Sequence, residues 1–273
     1  MDASATDGET TPRAGWRARP SAEITVDVVL PAFNEAHVLA RSVRTLHLFL
    51  AGANPYDWRI VLAVNGATDD TERVARLLCA EFDRTTMIVL DRSGRGGALR
   101  AAWTASRADL VCYTDVDLST SLEALSRCLD ALRRGADLAV GSRLLPGSRT
   151  TRSRMRQVIS VAYNRLLRLT LGVRFTDAQT GFKALTRQVV DEVLPLVESE
   201  RWFLDTELLV LADWLGFRVA DLPIEWVEDP DSRVNLILAI AEDLRGIARL
   251  RRRRRRPDAP LAAALRAPRA PRR

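Results

Sequence analysis

From Ile24 to Arg143 the chain alternates between short apolar runs and longer segments whose apolar positions recur every three or four residues. "TVDVVL", "WRIVLAV", "TMIVL", "DLVCYTD" and "ADLAVGSR" read as strands. "EAHVLARSVRTLHLFL", "TDDTERVARLLCAEF", "GGALRAAWTASRA" and "SLEALSRCLDALRRG" read as the helices between them. Strands of five to eight residues separated by helices of ten or more predict βαβ units and a mostly parallel sheet with helices on its faces. In such sheets ligands gather at the carboxyl ends of the strands. Asp115 and Asp117 stand there, where the run "LVCYT" breaks off.

Beyond Arg143 the pattern changes. From Gly141 to Thr176 the chain carries eight arginines and no acidic residue. Within this stretch "RQVISVAYNRLLRLTLGV" has helical spacing. "FTDAQTGFKALTR" follows, then a helix in "RWFLDTELLVLADWLG" and a strand in "RVADLPIEWVED". "NLILAIAEDLRGIARL" predicts an amphipathic helix over 236–250, with Ile237, Ile240, Leu244 and Ile247 on one face. The arginine, proline and alanine composition of 251–273 predicts a disordered basic tail, and the polar residues 1–22 a disordered leader.

Charge and cysteine usage narrow the chemistry. A net charge of +6 and a pI near 10.0 favour polyanionic partners. Lys183 is the only lysine. Cys79, Cys112 and Cys128 have neither metal-ligand nor disulfide-framework spacing, and with two histidines in the chain zinc chemistry is not expected. The leader is too polar for a signal peptide, and no apolar run reaches the roughly 18–20 residues of a bilayer span. A soluble or membrane-peripheral protein of a reducing compartment is expected.

Two carboxylates one residue apart repel unless a cation sits between or before them. Asp115 and Asp117 therefore suggest a site for a hard divalent ion; the competing reading is a loop, with Ser119–Ser121 capping the next helix. The surrounding motifs bear on the choice. "VVLPAFNEA", "VNGATDDT", "GRGGALRAAW", "YTDVDLST", "VGSR", "DAQTGFKAL" and "WFLDTELLVLA" occur in an order that resembles glycosyltransferase family 2, and within it the dolichyl- or polyprenyl-phosphate glucosyl- and mannosyltransferases. The resemblance spans roughly residues 24–235, giving a catalytic domain at 23–235.

That resemblance implies a GT-A fold, a UDP- or GDP-hexose donor, Mg2+ or Mn2+, and inversion at the anomeric carbon. It places Pro31, Phe33 and Glu35 in the donor loop, Arg95 with Gly96 and Gly97 near the donor phosphates, Asp115 on the donor and Asp117, with Asp115, on the metal. Similar proteins carry an aspartate on the base where this chain has Val64, which leaves Asn65 beside it. Asp69 is expected to orient the following helix; Asp70 has no assigned role. Asp177 and Gln179 match a motif near the acceptor. Lys183 is either a phosphate contact or a surface cation. A lipid monophosphate is largely dianionic at neutral pH and needs little help to attack, so the site needs cations more than a base. Arg143 is expected on the acceptor phosphate with Arg156 beside it. Asp177 and Asp205 are the candidates should a carboxylate base be used. Trp202 and Trp226 are assigned to packing.

The leading expectation is hexose transfer from a nucleotide to a polyprenyl phosphate at the cytoplasmic membrane face, with peripheral attachment to an anionic surface through the amphipathic helix or through a membrane partner protein. The alternatives are a glycan or small-molecule acceptor on the same fold, or a binding protein with an impaired donor site. Nucleic acid is not expected as a partner, and steep salt-dependent nucleic-acid binding without transfer is what the last alternative predicts.

Overall fold

The computed structural model describes residues 19–53, 55–228 and 236–267. β1 (Thr25–Ala32), α1 (Ala36–Ala53), β2 (Asp57–Asn65), α2 (Thr71–Glu81), β3 (Thr85–Leu90), α3 (Arg95–Ala105), β4 (Leu110–Thr114), α4 (Glu123–Arg133) and β5 (Leu138–Ser142) follow the expected alternation. β1, β2, β4 and β5 are held by burial on both faces, while β3, at the edge of the sheet, is mostly half-buried. Val28, Leu30, Ile60, Leu62 and Cys112 pack beneath α1, α2 and α4, while Val29, Val61, Ala63, Val111 and Tyr113 face a second core that includes α3. The two-residue period of the strands assigns neighbours to opposite cores.

The second half adds β6 (Arg149–Thr151), α5 (Arg154–Leu171), β7 (Phe182–Thr186), α6 (Arg187–Glu192), α7 (Leu204–Trp214), β8 (Val219–Pro223), β9 (Glu225–Val227), α8 (Leu236–Arg255) and α9 (Ala259–Arg266). The main sheet has the order β3-β2-β1-β4-β7-β5-β8, and β7 alone runs against its neighbours. Two consequences place the site. The chain builds outward from β1 to β3 and then returns to add β4 on the other side of β1, so the strand order reverses between β1 and β4, where a crevice opens. Because β7 is antiparallel, it starts at the edge where β4 and β5 end: Phe182 pairs with Thr114. The loop "DAQTG" thus lies beside Asp115.

"RVADLPIEWVED" is broken rather than a single strand. β8 stays in the main sheet; β9 leaves it and pairs with β6 in a two-stranded sheet. The backbone of Ser119–Ser121 joins β9, through Ser121 N–H to Glu225 O, Val227 N–H to Ser119 O and a bridge from Thr120 to Trp226. These residues do not cap α4, whose N-terminus has no side-chain cap.

The C-terminal region departs from the expected tail. α8 continues past 250 to Arg255, and α9 follows. Arg249 and Arg253 pair with Glu198 and with the buried Glu207 of α7, Arg253 also pairs with Asp258, and Asp258 accepts the Leu261 N–H at the start of α9. These ion pairs fold back onto the body a segment that composition alone assigns to solvent. Nor is the predicted apolar face of α8 free as a unit. Ile247 is buried in the core and Leu250 beside it, whereas Ile240 and Leu244 are exposed; the side chain of Ile237 lies outside the described residues, as do residues 1–18 of the leader and 268–273 of the tail. Among the described residues no helix is long and apolar enough to cross a membrane.

Candidate active site

At the crevice β1 ends in Pro31 and Ala32. Pro31 lies beyond the β4 ladder, which stops at Val29–Tyr113, so no ladder bond to β4 is lost at the imino nitrogen. Phe33 projects into solvent, and Asn34 turns the chain in the left-handed region, φ 57°. Asn34 and Thr68 exchange hydrogen bonds, the Thr68 N–H reaching Asn34 Oδ1 at 2.8 Å. Asp69 accepts from Thr71 N–H and Ala36 N–H, linking the starts of α1 and α2 in the orienting role expected of it. Asp70 forms an exposed pair with Arg73 one turn on.

Asn65 is buried. Its amide donates to Ala32 O and Ala63 O and accepts the Gly94 N–H at 3.0 Å. It clamps the ends of β1 and β2 to the start of α3, and its contacts do not place it as a substrate ligand. Val64 is buried in the apolar cluster on the other face of β2. Gly96 and Gly97 do permit a close approach, but to the chain itself: a Cβ on Gly96 would stand 2.5 Å from Arg201 O, and Gly97 N–H donates to Glu200 O.

Beyond β4 the chain turns sharply, Leu118 N–H donating to Asp115 O with Leu118 at φ 53°. A branched side chain in this region is strained, and such positions concentrate at functional sites. Asp117 Oδ1 accepts the Ser119 N–H at 2.9 Å. The Asp115 carboxyl has no hydrogen-bond donor among the described residues; Arg95 Nη1 stands 4.0 Å away. Burial, with Asp117 and Asp205 adding and Arg95 opposing, pushes its pKa up to about 6. It rests where Gly181 leaves room, since a Cβ there would meet Oδ2 at 1.7 Å. A half-buried carboxylate without donors beside a second carboxylate suits a hard cation. Among the described residues no third acidic, histidine or cysteine side chain joins the pair, so phosphate and water oxygens would complete the coordination.

Behind Asp115 lies an ionic hub. Asp205, buried in the first turn of α7, pairs with Arg95 and with Lys183 Nζ, the latter at 2.9 Å, and hydrogen-bonds the Tyr113 hydroxyl. Burial would raise the Asp205 pKa, but the two cations hold it below the usual carboxylate range. Lys183 is fully buried, also donates to Thr180 O, and has its pKa pulled down by burial against the pull of Asp205. It is neither a surface cation nor accessible to a phosphate. Arg95 also lies over the faces of Tyr113 and Trp202.

The third group is cationic. Arg143, at the end of β5, forks onto Asp177 with Nε–Oδ2 2.8 Å and Nη2–Oδ1 3.0 Å, and its N–H donates to the same carboxylate. Burial works against Asp177 ionising, yet Arg143 keeps its pKa below the ordinary value. Asp177 and Asp205 therefore both commit their oxygens to cations, and the geometry gives neither a base's role. Gln179 donates to Asp243 of α8 at 2.7 Å rather than facing the crevice alone. Arg156 pairs with Glu228. Arg143 and Arg152 both lie over Trp226, at 5.3 and 5.5 Å from the ring centroid. Arg152 donates to Arg156 O but leaves Nε and Nη1 unpaired. Trp226 packs against the core as expected and also carries both guanidinium groups on its face. Nothing in the sequence sets Arg152 apart from the other arginines of the acid-free stretch, because its place over Trp226 exists only after folding. Trp202 is 43% exposed beneath Arg95 and is not a core packing residue.

Two carboxylates, a glycine-cleared cradle and a cluster of arginines thus converge at the carboxyl edge of the sheet. Residues 27–194 match Glycosyl transferase family 2. The chain belongs to that family. The family 2 chain is 41% identical over 223 residues to glycosyltransferase AglD of Haloferax volcanii, an alignment covering 81% of this chain and 36% of AglD, so it spans about a third of that relative's length. It is 28% identical over 243 residues to dolichyl-phosphate beta-glucosyltransferase ALG5A of Trichomonas vaginalis, covering 85% of this chain and 75% of that protein, and 26% identical to the corresponding enzyme of Saccharomyces cerevisiae, covering 81% and 73%. In structure it resembles glucosyl-3-phosphoglycerate synthase of Mycobacterium tuberculosis in complex with UDP, with a TM-score of 0.65, 21% identity and coverage of 95% and 88%. Its fold is GT-A.

Proposed function

We propose that this family 2 enzyme transfers a hexose, glucose in the first instance, from a nucleotide-sugar to a polyprenyl phosphate with inversion. The observation that carries the reading is the gathering of Arg143 and Arg152 over Trp226, with Arg156 next to Arg152, knitted through β9 to the Asp115–Asp117 turn. The names of the relatives, dolichyl-phosphate beta-glucosyltransferases, support the lipid phosphate and the glucose.

In this reading the donor lies in the crevice between β1 and β4, with Pro31, Phe33 and Glu35 on one side and Asp115 on the other. A solved neighbour in complex with Mn2+ and UDP-glucose supports a divalent cofactor. Asp115 and Asp117 would hold Mg2+ or Mn2+, which supplies charge neutralisation for the departing diphosphate. The arginines bind the acceptor phosphate and aim one oxygen at the anomeric carbon. The new carbon–oxygen bond forms as the bond to the nucleoside diphosphate breaks, and the electron pair leaves with the diphosphate. Alignment provides the acceleration. A dianionic nucleophile carries no proton to remove, which agrees with the full engagement of Asp177 and Asp205. We place the reaction at the cytoplasmic face of a membrane, where the unpaired cysteines suit a reducing compartment.

Incubation with polyprenyl phosphate and a panel of UDP- and GDP-hexoses, with Mg2+, Mn2+ or a chelator, tests the reading. Metal-dependent lipid-linked sugar from one donor is expected; nucleotide-sugar turnover with no lipid product would overturn it.

A further inference from the structure

α5 and α8 run side by side, Tyr163 meeting Asp243 near one end and Leu171 meeting Arg254 near the other. Between them lies a groove of about 770 Å3. Its floor is apolar, from Leu166, Leu244, Ile247 and Ala248, and its rim is formed by Arg251, Arg252, Arg255 and Arg256. The arginines from Arg249 to Arg256, at and just past the end of α8, divide into two sets. Arg249 and Arg253 turn to Glu198 and Glu207, and Arg254 to Leu171 O and the face of Trp214. The four rim arginines are exposed and have no ion pair among the described residues. Next to the groove, α5 presents Met155, Val158 and Leu169 to solvent at 66%, 67% and 76% exposure. Their spacing of three and then eleven residues sets them on the side opposite the buried Tyr163, Asn164 and Leu167.

We propose that this face docks on an anionic lipid bilayer, the rim arginines taking phosphate headgroups at the mouth of the groove and the α5 ridge entering the headgroup layer. Charge and polarity together favour this occupant. Unneutralised guanidinium groups around an aliphatic floor complement an amphiphile whose phosphate and acyl chain arrive together. A nucleic-acid backbone would satisfy the arginines but leave the aliphatic floor and ridge without partners; no aromatic side chain lines the groove. α5 begins beside Arg152 and Arg156, so at about 1.5 Å per residue the groove lies roughly 15–20 Å from the arginine cluster. A chain lying on this face holds its candidate acceptor site within roughly 20 Å of the bilayer surface. The usefulness of the docking rests on the lipid-acceptor reading; its test does not.

The test is co-sedimentation of the full chain with vesicles of phosphatidylcholine alone and of phosphatidylcholine with 30 mol% phosphatidylglycerol. Binding to the anionic vesicles is expected, weakening steeply with salt. Each of Arg251→Gln, Arg252→Gln, Arg255→Gln and Arg256→Gln should weaken it by about fivefold. Val158→Ser with Leu169→Ser should weaken it while leaving its salt dependence in place, and Arg41→Gln with Arg127→Gln, on other helices, should leave it unchanged. Transfer to a short, water-soluble isoprenyl phosphate reports on folding and on the reaction separately. If that transfer is absent while vesicle binding follows the pattern, the functional reading fails and the docking site stands. Equal binding to both vesicle types, rim variants that bind like the parent, or a structured RNA that displaces the vesicles at equal charge concentration would overturn the proposal.

Discussion

Asp115 Oδ2 occupies the space that a side chain on residue 181 would need: a Cβ built on Gly181 would stand 1.7 Å from it. Gly181 is therefore required by a carboxylate, not by its backbone angles, which are not left-handed. Gly181→Ala should move Asp115 by an ångström or more and reduce transfer by about 100-fold. Adding Asp115→Gly should restore the melting temperature lost in the single variant without restoring transfer. Additive stability effects in this double-variant cycle would show that the two residues do not interact.

Asp205 neutralises two cations at once, Arg95 and the buried Lys183. Asp205→Asn would leave that charge uncompensated in the interior and is expected to cost about 3–5 kcal/mol of stability in denaturant unfolding. Pairing it with Lys183→Met should recover part of the loss, since an apolar side chain is cheaper there than an unpaired ammonium. A variant as stable as the parent would remove the hub from the account.

The Arg143 fork holds Asp177 through Nε and Nη2, which leaves Nη1 for the acceptor phosphate in the proposed reading. Arg143→Lys keeps a charge but cannot hold Asp177 and reach a phosphate at once, and should raise the acceptor KM by roughly 10–100-fold with the donor KM nearly constant. Arg152→Gln should act in the same direction and more weakly. Steady-state kinetics with each substrate varied in turn separates the two constants; a change confined to the donor KM would contradict the assignment.

Asp243 couples α8 to the loop before β7 through Gln179 and to α5 through Tyr163. Burial, aided by Glu242 and opposed by the Tyr163 and Gln179 hydrogen bonds, pushes its pKa up from 3.8 to about 7. The folded chain keeps this proton up to about pH 7, whereas the unfolded chain releases it near pH 4, so the stability this group contributes falls as pH rises between those limits. Asp243→Asn mimics the protonated form. It should match the parent near pH 4 and melt at least about 2–4 °C higher at pH 8. Parallel melting curves against pH would show that Asp243 titrates normally.

The first half of the fold was legible because its strands other than the edge strand β3 are buried on both faces and its helices pack apolar side chains against them. β6 and β9 were not, since each has three residues and their pairing depends on a partner about 75 residues away. The tail was misread for a related reason. A run of arginines implies solvent unless acids face it, and Glu207 lies 42 and 46 residues before Arg249 and Arg253. The motif residues Asp115, Asp117, Arg143 and Asp177 lie at one edge of the sheet. Motif order could not separate residues that face the crevice from those that support it: Lys183 and Asn65, expected as contacts, and Asp205, a candidate base, are all buried and hold the surrounding chain. Arg152 was the reverse case, because a guanidinium stacked on a packing tryptophan looks like any other arginine in sequence.

The central claim is that the arginine cluster receives a lipid phosphate. The direct test is a single-turnover assay with the sugar-labelled donor identified by the panel, offering polyprenyl phosphate, the matching unphosphorylated polyprenol and 3-phosphoglycerate in parallel. The account predicts label on polyprenyl phosphate alone, lost in Arg143→Lys at subsaturating acceptor and recovered as the acceptor is raised. Label on the polyprenol would remove the phosphate from recognition, and label on 3-phosphoglycerate in preference to the lipid would contradict the claim outright.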